Sequence, residues 1–269
     1  MSTLLSVEHL DIRTSGRTLV SGMSFSIAPG ERVGLIGESG SGKSLTALAI
    51  LGLLPVTMQV SGAIALNGHP VTGARDRDLV PLRGTVMTAV FQEPMTALDP
   101  LMRIGHQMGE VVRRRARRDG ETFGRAEMSR QVLALLERVA LPEASRIAHA
   151  FPHEISGGQR QRAAIAMALA CRPKLLIADE PTTALDVTTQ MEILTLLEGL
   201  VRDEAMGLLF ISHDLPVVAS IATRALVMRH GRLIEEGPVA ALFNRPAHLY
   251  TAELVAAARA FDAALEMTP

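Results

Sequence analysis

Eight residues between a short apolar segment and a helical segment constrain this chain more than any other feature. We call them the phosphate loop; in order they are Gly37, Glu38, Ser39, Gly40, Ser41, Gly42, Lys43 and Ser44. A strand pattern at Arg32–Ile36 precedes the loop, and a helical pattern from about Lys43 to Leu54, ended by Pro55, follows it. A glycine, four residues and Gly-Lys-Ser in that context are typical of a phosphate-binding turn at the edge of a parallel sheet.

The residue types of the phosphate loop account for phosphate binding. Glycines let successive backbone amides turn inward around phosphate oxygens, and the helix N-terminus adds the positive end of its dipole. Lys43 is placed to reach β- and γ-phosphates, and the Ser44 hydroxyl to ligate Mg²⁺. A Gly/Ser-rich turn without a ligand is the alternative, but the flanking elements disfavour it. Only Lys43 and Lys174 are lysines among 27 basic residues, so a lysine at this position is unusual for this chain.

A second motif carries two adjacent carboxylates. The apolar segment Leu175–Ala178 predicts a buried strand, and Asp179 and Glu180 follow it directly. An acidic pair after a strand is more often a solvated turn or a helix cap. Together with the phosphate loop it predicts that Asp179 holds Mg²⁺, through water, and that Glu180 acts as the general base on an attacking water.

Composition excludes several classes of protein. With 269 residues, 48% hydrophobic and 20% charged, the chain has enough apolar side chains for a large core and is not disordered. The single cysteine, Cys171, allows no internal disulfide and no cysteine-based metal site. A formal net charge of −1 and 3% aromatic residues argue against a nucleic-acid partner. Acidic residues near the N-terminus and short apolar stretches predict neither a secretory signal nor a membrane span.

The hydrophobic pattern changes along the chain. The first 92 residues alternate in several short strands, whereas residues 93–170 have the period of helices, which we place at Ile104–Arg118, Ala126–Val139 and Gly158–Ala170. The last third returns to a buried strand at Leu208–Ile211. It also holds a helix at Val187–Val201 capped by Asp186, a hairpin around His230-Gly231, and a final helix over Ala247–Glu266. A parallel-sheet core interrupted by a helical insertion fits this order.

One pentapeptide links these features to a known family. Ile155-Ser156-Gly157-Gly158-Gln159 resembles the signature motif of the nucleotide-binding subunits of ATP-binding cassette (ABC) transporters. Taken alone, it is more often an ordinary helix start with a serine cap. The resemblance implies that Ser156, Gly157, Gly158 and Gln159 contact an ATP held by the opposite subunit, with Ser156 and Gly158 on its γ-phosphate.

The family's other motifs follow in the expected order from Gly37 to His213. Gln92 resembles the glutamine that ligates Mg²⁺ and senses the membrane partner, and Ala184-Leu185-Asp186 resembles the loop that contacts the opposite subunit. His213 resembles the switch histidine on the γ-phosphate, although a lone histidine at a strand end is usually structural. The resemblance implies that the phosphate loop and Leu45 bind ATP, with Lys43, Glu180 and His213 catalytic.

The chain departs from the family near the end of its first strand. The family usually places an aromatic residue there, stacked on adenine, whereas this chain reads Ile12-Arg13-Thr14-Ser15. The Arg13 guanidinium is able to stack on the base instead. Weaker selectivity for adenine is the alternative.

The resemblance implies a fold and a domain division. The expected fold is an α/β P-loop NTPase (RecA-like) with a parallel-sheet core, an N-terminal antiparallel β region and an inserted α-helical subdomain. We expect an ATP-binding core over 1–92 and 171–237, a helical signature subdomain over 93–170 and a helical tail over 238–269.

Two further segments indicate a subgroup. The phosphate loop and Val90–Pro100 look most like the dipeptide, oligopeptide and nickel import group, and Arg245–Thr251 is similar to that group's His-Pro-Tyr-Thr tail motif. The group implies MgATP hydrolysis coupled to import through two transmembrane permease subunits, at the cytoplasmic face of the inner membrane. A second ATPase subunit, identical or homologous, and an extracytoplasmic solute-binding protein are the other implied partners.

Alternatives remain open. A soluble ABC ATPase without a permease competes with the transporter, whereas the signature motif disfavours a phosphate-loop kinase. The basic run Arg113–Arg118, on a predicted helix, suits a solvated helix face better than contact with lipid headgroups or nucleic acid.

Overall fold

The computed structural model describes residues 3–93, 97–183 and 185–266. Residues 94–96 of the Val90–Pro100 segment, and Ala184 of the predicted subunit-contact loop, therefore lie outside the described residues. The strands are β1 Leu5–Thr14, β2 Arg17–Ile27, β3 Arg32–Ile36, β4 Met58–Leu66, β5 His69–Pro70, β6 Met87–Val90, β7 Leu175–Asp179, β8 Gly207–Ser212, β9 Arg224–Arg229 and β10 Arg232–Pro238.

The described residues also form α-helices. They are α1 Lys43–Leu51, α2 Asp76–Leu79, α3 Ile104–Arg118, α4 Arg125–Arg138, α5 Ala144–His149, α6 Gly157–Leu169, α7 Val187–Asp203, α8 Leu215–Ile221, α9 Val239–Asn244 and α10 Leu249–Glu266, with a 3₁₀ turn at Pro152–Glu154. None of these helices, within the described ranges, is both long and apolar enough to cross a bilayer.

The chain divides into two compact units. Unit 1 comprises Met1–Val80 and Ala205–Pro269, and unit 2 comprises Pro81–Glu204. Unit 2 therefore includes the inserted helices together with β6, β7 and α7. The functional division at 92/93, 170/171 and 237/238 stays a prediction.

Unit 1 contains the predicted N-terminal antiparallel β region. Its strands lie in the order β2-β1-β4-β5, and both partners of β1 run antiparallel to it. Alternate residues of β1 and β2 are buried, as expected for a sheet with one face on a core.

Unit 1 also contains a parallel arrangement that ends at the phosphate loop. β3 pairs in parallel with β8 on one side and β9 on the other, and β10 continues from β9 as an antiparallel hairpin. Every residue of β8 is buried, as the continuous apolar run predicted. Helix α8 packs so closely on β3 that a side chain at Gly34 would come within 2.1 Å of Val218 Cγ1. Gly34 is therefore required by helix-to-sheet contact.

Unit 2 is mainly helical. Helices α3 and α4 contact each other and each contacts α5 and α6, and one face of α4 is buried at Val132, Leu135 and Leu136. β6 and β7 form a parallel pair in which Val90 lies opposite Ala178.

One predicted helix end is wrong, and three short helices were not predicted. α1 ends at Leu51 rather than Leu54, because Gly52 adopts the left-handed conformation (φ +64°) and its N–H caps the helix on Ala49 O. Pro55 therefore follows the helix end rather than causing it. The short helices α5, α8 and α9 were not predicted, because six or seven residues carry too little periodicity to distinguish a helix.

Candidate nucleotide-binding and catalytic residues

The phosphate loop of unit 1 is closely surrounded by backbone. A Cβ at Gly37 would lie 2.3 Å from the carbonyl oxygen of Met228, and one at Gly42 would lie 2.9 Å from Val20 Cγ2. Gly42 has φ +104° and is the N-cap of α1, where it provides no side chain to cap the first turn. A loop backbone that must pass this close to its surroundings excludes side chains at both positions.

Lys43 is buried and aimed into the loop. Its side chain is 4% exposed, and Nζ donates to the carbonyl oxygens of Gly37 at 2.7 Å and Glu38 at 3.0 Å. The loop therefore surrounds the positively charged Lys43 ammonium group. Ser44 is exposed on the first turn of α1, and Leu45 is half-buried beside it.

The Ser41 hydroxyl tests whether the loop fits a phosphate. It is buried, and it makes no hydrogen bond with any described residue. Buried hydroxyls in folded proteins are nearly always hydrogen-bonded, so an acceptor is missing from this position. A phosphate oxygen supplies such an acceptor, and the Lys43 charge suits it; the residues present therefore fit a polyphosphate. Ser39 and Gly40 lie exposed at the tip of the loop.

His213 lies at the same sheet edge as the phosphate loop. Ile36 and Ser212 are parallel partners, so Gly37 and His213 each follow directly after paired residues. His213 is exposed, and Asp214 after it accepts a hydrogen bond from the Val217 N–H at 3.4 Å as the N-cap of α8. This placement agrees with a histidine near the terminal phosphate of a ligand in the loop.

In unit 2 the acidic pair lies at the end of a buried strand. Asp179 ends β7 and is 7% exposed, whereas Glu180 is half-buried with a left-handed backbone, φ +49°. The Thr183 hydroxyl donates to Glu180 Oε2 at 3.0 Å. This hydrogen bond restrains the direction of the Glu180 carboxylate.

Gln92 lies at the same edge of the β6–β7 pair. Val90 and Ala178 are opposite one another, so Gln92 lies two residues and Asp179 one residue beyond the pairing. Gln92 is exposed. Carboxylate and amide oxygens are ligands that suit Mg²⁺, and the Ser44 hydroxyl of unit 1 is of the same hard-oxygen class.

The signature segment forms a complete helix cap. Ser156 Oγ accepts from the Gln159 N–H at 3.3 Å, and Gln159 Oε1 accepts from the Ser156 N–H at 3.0 Å. This reciprocal capping box begins α6. Ser156 and Gly157 are exposed, whereas a Cβ at Gly158 would lie 2.8 Å from Thr189 Cγ2.

Asp186 lies against the signature segment through Thr189. Its carboxylate accepts the Thr189 N–H at 2.9 Å and the Thr189 hydroxyl at 2.7 Å, which confirms the predicted cap of α7. These two hydrogen bonds lower the pKa of Asp186. Thr189 in turn contacts Gly158, so the structure brings two sequence-predicted positions together.

Gln161 was missed by sequence reasoning. It is 1% exposed, and its Nε2 donates at 2.6 Å to the carbonyl oxygen of Pro181, directly after Glu180. Gln161 therefore links helix α6 to the turn that carries Glu180. Its position among buried apolar residues of α6 was the available signal, because a polar side chain there requires a partner.

Arg13 lies near the end of β1 and pairs across the sheet with Thr18 and Gln59. Its side chain is 58% exposed, with Nη2 3.9 Å from an Asp11 oxygen. An exposed planar guanidinium has a face available for stacking, and an ion pair this exposed restrains it weakly.

The basic run Arg113–Arg118 is not a uniformly solvated face, which corrects the expectation from sequence. Arg115 is 7% exposed and donates to the Ala170 carbonyl oxygen and to Gln131 Oε1, at 3.2 and 2.9 Å. Arg118 reaches the Cys171 carbonyl oxygen at 3.2 Å. These two arginines donate to carbonyls at the C-terminal end of α6, where the helix dipole is negative. Arg115 is buried, whereas Arg114, Arg117 and Arg118 are exposed.

The described site residues fall in both units. Unit 1 carries Arg13, the phosphate loop, Leu45 and His213; unit 2 carries Gln92, Ser156–Gln159, Asp179, Glu180 and Asp186.

Comparison with known proteins places these residues in a family. Residues 20–183 match the family model described as ABC transporter. The chain is 44% identical to the oligopeptide transport ATP-binding protein OppD of Escherichia coli (strain K12), over 91% of this chain and 72% of that protein. It is 48% identical to the peptidoglycan transport ATP-binding protein YejF of Agrobacterium fabrum, over 94% of this chain and 47% of that protein.

A solved structure agrees with the fold. The dimeric ATP-binding cassette MJ0796, bound to ADP and Pi, has a TM-score of 0.75 and 27% identity, covering 87% of this chain and 98% of that chain. The expected P-loop NTPase fold and the resemblance to the oligopeptide import group are thereby confirmed. The chain belongs to the ABC transporter family, as an ATP-hydrolysing, ATP-binding subunit.

Proposed function

We propose that the chain binds MgATP at the phosphate loop and that hydrolysis powers import of a peptide or a related small solute through a separate permease. The observation that carries the proposal is the loop itself, where a buried Lys43 ammonium and a buried Ser41 hydroxyl that lacks an acceptor face inward. The names of OppD and YejF, an oligopeptide and a peptidoglycan transport ATP-binding protein, support the transport of peptide-containing solutes.

Binding depends on unit 1. Backbone amides of residues 37–45 and the positive end of α1 hold the phosphates, and Lys43 exchanges its two loop carbonyls for β- and γ-phosphate oxygens. The Arg13 guanidinium stacks on the adenine. Ser44, Gln92 and Asp179 would hold Mg²⁺, with Asp179 acting through water, and the bound ion would supply positive charge against the phosphates.

Hydrolysis depends on Glu180. Its carboxylate takes a proton from the attacking water as the new bond to the γ-phosphorus forms and the bond to the leaving ADP oxygen breaks. Thr183 orients this carboxylate. His213 and Lys43 stabilise the negative charge that develops on the γ-phosphate oxygens.

A second ATPase subunit completes the site. Two chains, identical or homologous, close head to tail so that Ser156, Gly157, Gly158 and Gln159 of one contact the ATP of the other, with Asp186 at the contact. The dimeric state of the cassette MJ0796 supports this arrangement. Two transmembrane permease subunits receive the motion through the Gln92 region at the cytoplasmic face of the inner membrane, and an extracytoplasmic solute-binding protein delivers the solute.

Glu180→Gln tests the hydrolytic assignment. Because a general base contributes about 10²–10⁴-fold to rate, we expect ATP turnover to fall by at least about 100-fold while ATP binding is retained. Glu137→Gln is the control, since Glu137 is an exposed carboxylate of the same unit. Turnover of Glu180→Gln at the wild-type rate would show that another group activates the water.

The transport assignment has a separate test. The Glu180→Gln chain, tagged and produced in its native cells, is purified from detergent-solubilised membranes in the presence of ATP. A polytopic membrane protein should co-purify with it. Recovery of soluble partners alone would favour an ABC ATPase that acts without a permease.

A further inference from the structure

A tyrosine from the C-terminal segment contacts the phosphate loop. The Glu38 backbone N–H donates to Tyr250 Oη at 3.1 Å, across 212 residues of sequence. Tyr250 is the single tyrosine of the chain and is 2% exposed. Two of the three segments that resemble the peptide import group, the phosphate loop and Arg245–Thr251, are therefore joined by a hydrogen bond.

The start of α10 is held firmly enough to fix Tyr250. The Glu235 carboxylate on β10 accepts the N–H groups of Ala247 and His248, at 2.8 and 3.0 Å. His248 Nδ1 lies 3.1 Å from the Tyr250 N–H and accepts from it. The guanidinium of Arg229, at the end of β9, lies 4.5 Å from the centre of the Tyr250 ring. Backbone, side chain and ring are thus each fixed by a different neighbour.

The Tyr250 hydroxyl meets Glu38 in two ways. Burial raises the pKa of Tyr250, the hydrogen bond from the Glu38 N–H lowers it, and the Glu38 carboxylate raises it again, so the net pKa is raised and the phenol is protonated at neutral pH. The neutral hydroxyl accepts from the Glu38 N–H, and the Glu38 carboxylate favours its protonated form. Phenylalanine at this position would keep the ring packing and lose the hydrogen bond from the Glu38 N–H.

The other side of the Glu38 residue is held by Lys43. The Glu38 carbonyl oxygen accepts from Lys43 Nζ at 3.0 Å and from the Ser41 N–H at 3.1 Å. Tyr250 therefore fixes one end of the residue whose other end positions the lysine and the turn of the loop. Without the Tyr250 hydroxyl, the Glu38 backbone loses one of its restraints.

We propose that Tyr250 is a positioning residue for nucleotide binding, and that the segment Arg245–Thr251 forms part of the nucleotide site by holding the phosphate loop at Glu38. The proposal rests on the proposed function, because it requires that the loop bind ATP. Tyr250 acts on the ligand through Glu38 and Lys43 and does not touch the reacting atoms.

Tyr250→Phe in the full chain tests the proposal. The variant removes the hydrogen bond between the Glu38 N–H and Tyr250 Oη. Because a single hydrogen bond of this kind is lost, the Kd for MgATP measured by calorimetry should rise about threefold to tenfold. In steady-state ATPase assays KM should rise by a similar factor while kcat stays within about twofold of the wild-type value. Arg259→Met is the matched control, because Arg259 Nη2 donates to the Phe243 carbonyl oxygen at 2.8 Å from the same helix without contacting the loop.

The outcomes separate this proposal from the one on which it rests. A wild-type chain that does not bind MgATP refutes the proposed function. A wild-type chain that binds, with Tyr250→Phe equally tight or with Tyr250→Phe and Arg259→Met weakened alike, overturns the role of Tyr250.

Hydrogen exchange in the wild-type chain decides the matter even if the phenylalanine variant fails to fold. Glu38 is exposed, so its amide should exchange as fast as other exposed loop amides unless Tyr250 holds it. Protection of the Glu38 amide without nucleotide supports the proposal, and unprotected exchange overturns it.

Discussion

Gly158 offers a steric test of how the signature segment is built. An alanine there would place its Cβ 2.8 Å from Thr189 Cγ2 and 4.0 Å from Thr189 Oγ1. Optimal contacts between carbon atoms lie at about 3.5–4.0 Å, so only the methyl group of Thr189 is in the way. Thr189 cannot easily rotate, because its hydroxyl and its N–H both bond to Asp186.

Two opposing effects set the size of the change. Alanine in place of glycine gains up to about 1 kcal/mol of helix propensity, whereas forcing an extra methyl into a packed contact costs about 1–3 kcal/mol. The steric cost is the larger effect, and we expect Gly158→Ala to lower the free energy of unfolding by about 1 kcal/mol. Thr189→Ser removes Cγ2 and keeps the hydroxyl, so the double variant should be at least as stable as Thr189→Ser alone.

Urea unfolding followed by circular dichroism measures all four chains of this cycle. The coupling between positions 158 and 189 should be about 1–2 kcal/mol and of rescuing sign, as for residues in direct contact. A Gly158→Ala chain as stable as the wild type, or a double variant that is no better than the additive sum, would refute the packing argument.

Two further changes test contacts far from the loop. Arg115→Met leaves the Ala170 carbonyl without its charged donor and should cost about 1.5–3 kcal/mol of unfolding free energy, whereas the exposed Arg114→Met should change it by less than about 0.5 kcal/mol; equal losses in urea unfolding would contradict the division of the basic run. Burial raises the pKa of Glu31, and hydrogen bonds from Arg224 and Ala28 lower it by more, so the net pKa is lowered. The stability gained from this carboxylate is therefore full above the ordinary glutamate pKa of about 4.3 and is lost as pH falls through the lowered value. The thermal midpoint of the wild type should exceed that of Arg224→Gln at pH 7, and the difference should narrow in acid to the part due to the Arg224 hydrogen bond to the Ser26 carbonyl oxygen; a constant difference across pH would contradict this.

Local sequence patterns predicted the parts of the molecule that local forces decide. The bounds of α3, the Asp186 cap of α7 and the hairpin at His230-Gly231 follow from helix periodicity, a capping side chain and turn chemistry. The phosphate loop is equally local, since glycine spacing and a following helix suffice to define it.

Contacts between segments far apart in the chain could not be predicted from the sequence. Arg115 resembles its exposed neighbours in every local respect, and only the position of the α6 C-terminus makes it a buried donor. Tyr250 was noticed as part of a tail motif, but its hydrogen bond to Glu38 depends on where β9, β10 and α10 bring the chain. Sequence could identify these residues and could not assign their partners.

The two helix N-termini that resemble phosphate-binding elements are built differently, and the difference has a consequence for their order of use. Gly42 leaves the first turn of α1 without a side-chain cap, so the phosphate loop is ready for an anion in the isolated chain. Ser156 and Gln159 cap α6 reciprocally, and an N-cap hydrogen bond contributes about 1 kcal/mol. A phosphate that takes the Gln159 amide must displace the Ser156 hydroxyl and compensate for that loss. We therefore expect the α6 terminus to bind a phosphate more weakly than the loop. If the proposed function holds, ATP should bind to the loop first, and Ser156–Gln159 should engage a nucleotide only when a second chain presents it already bound.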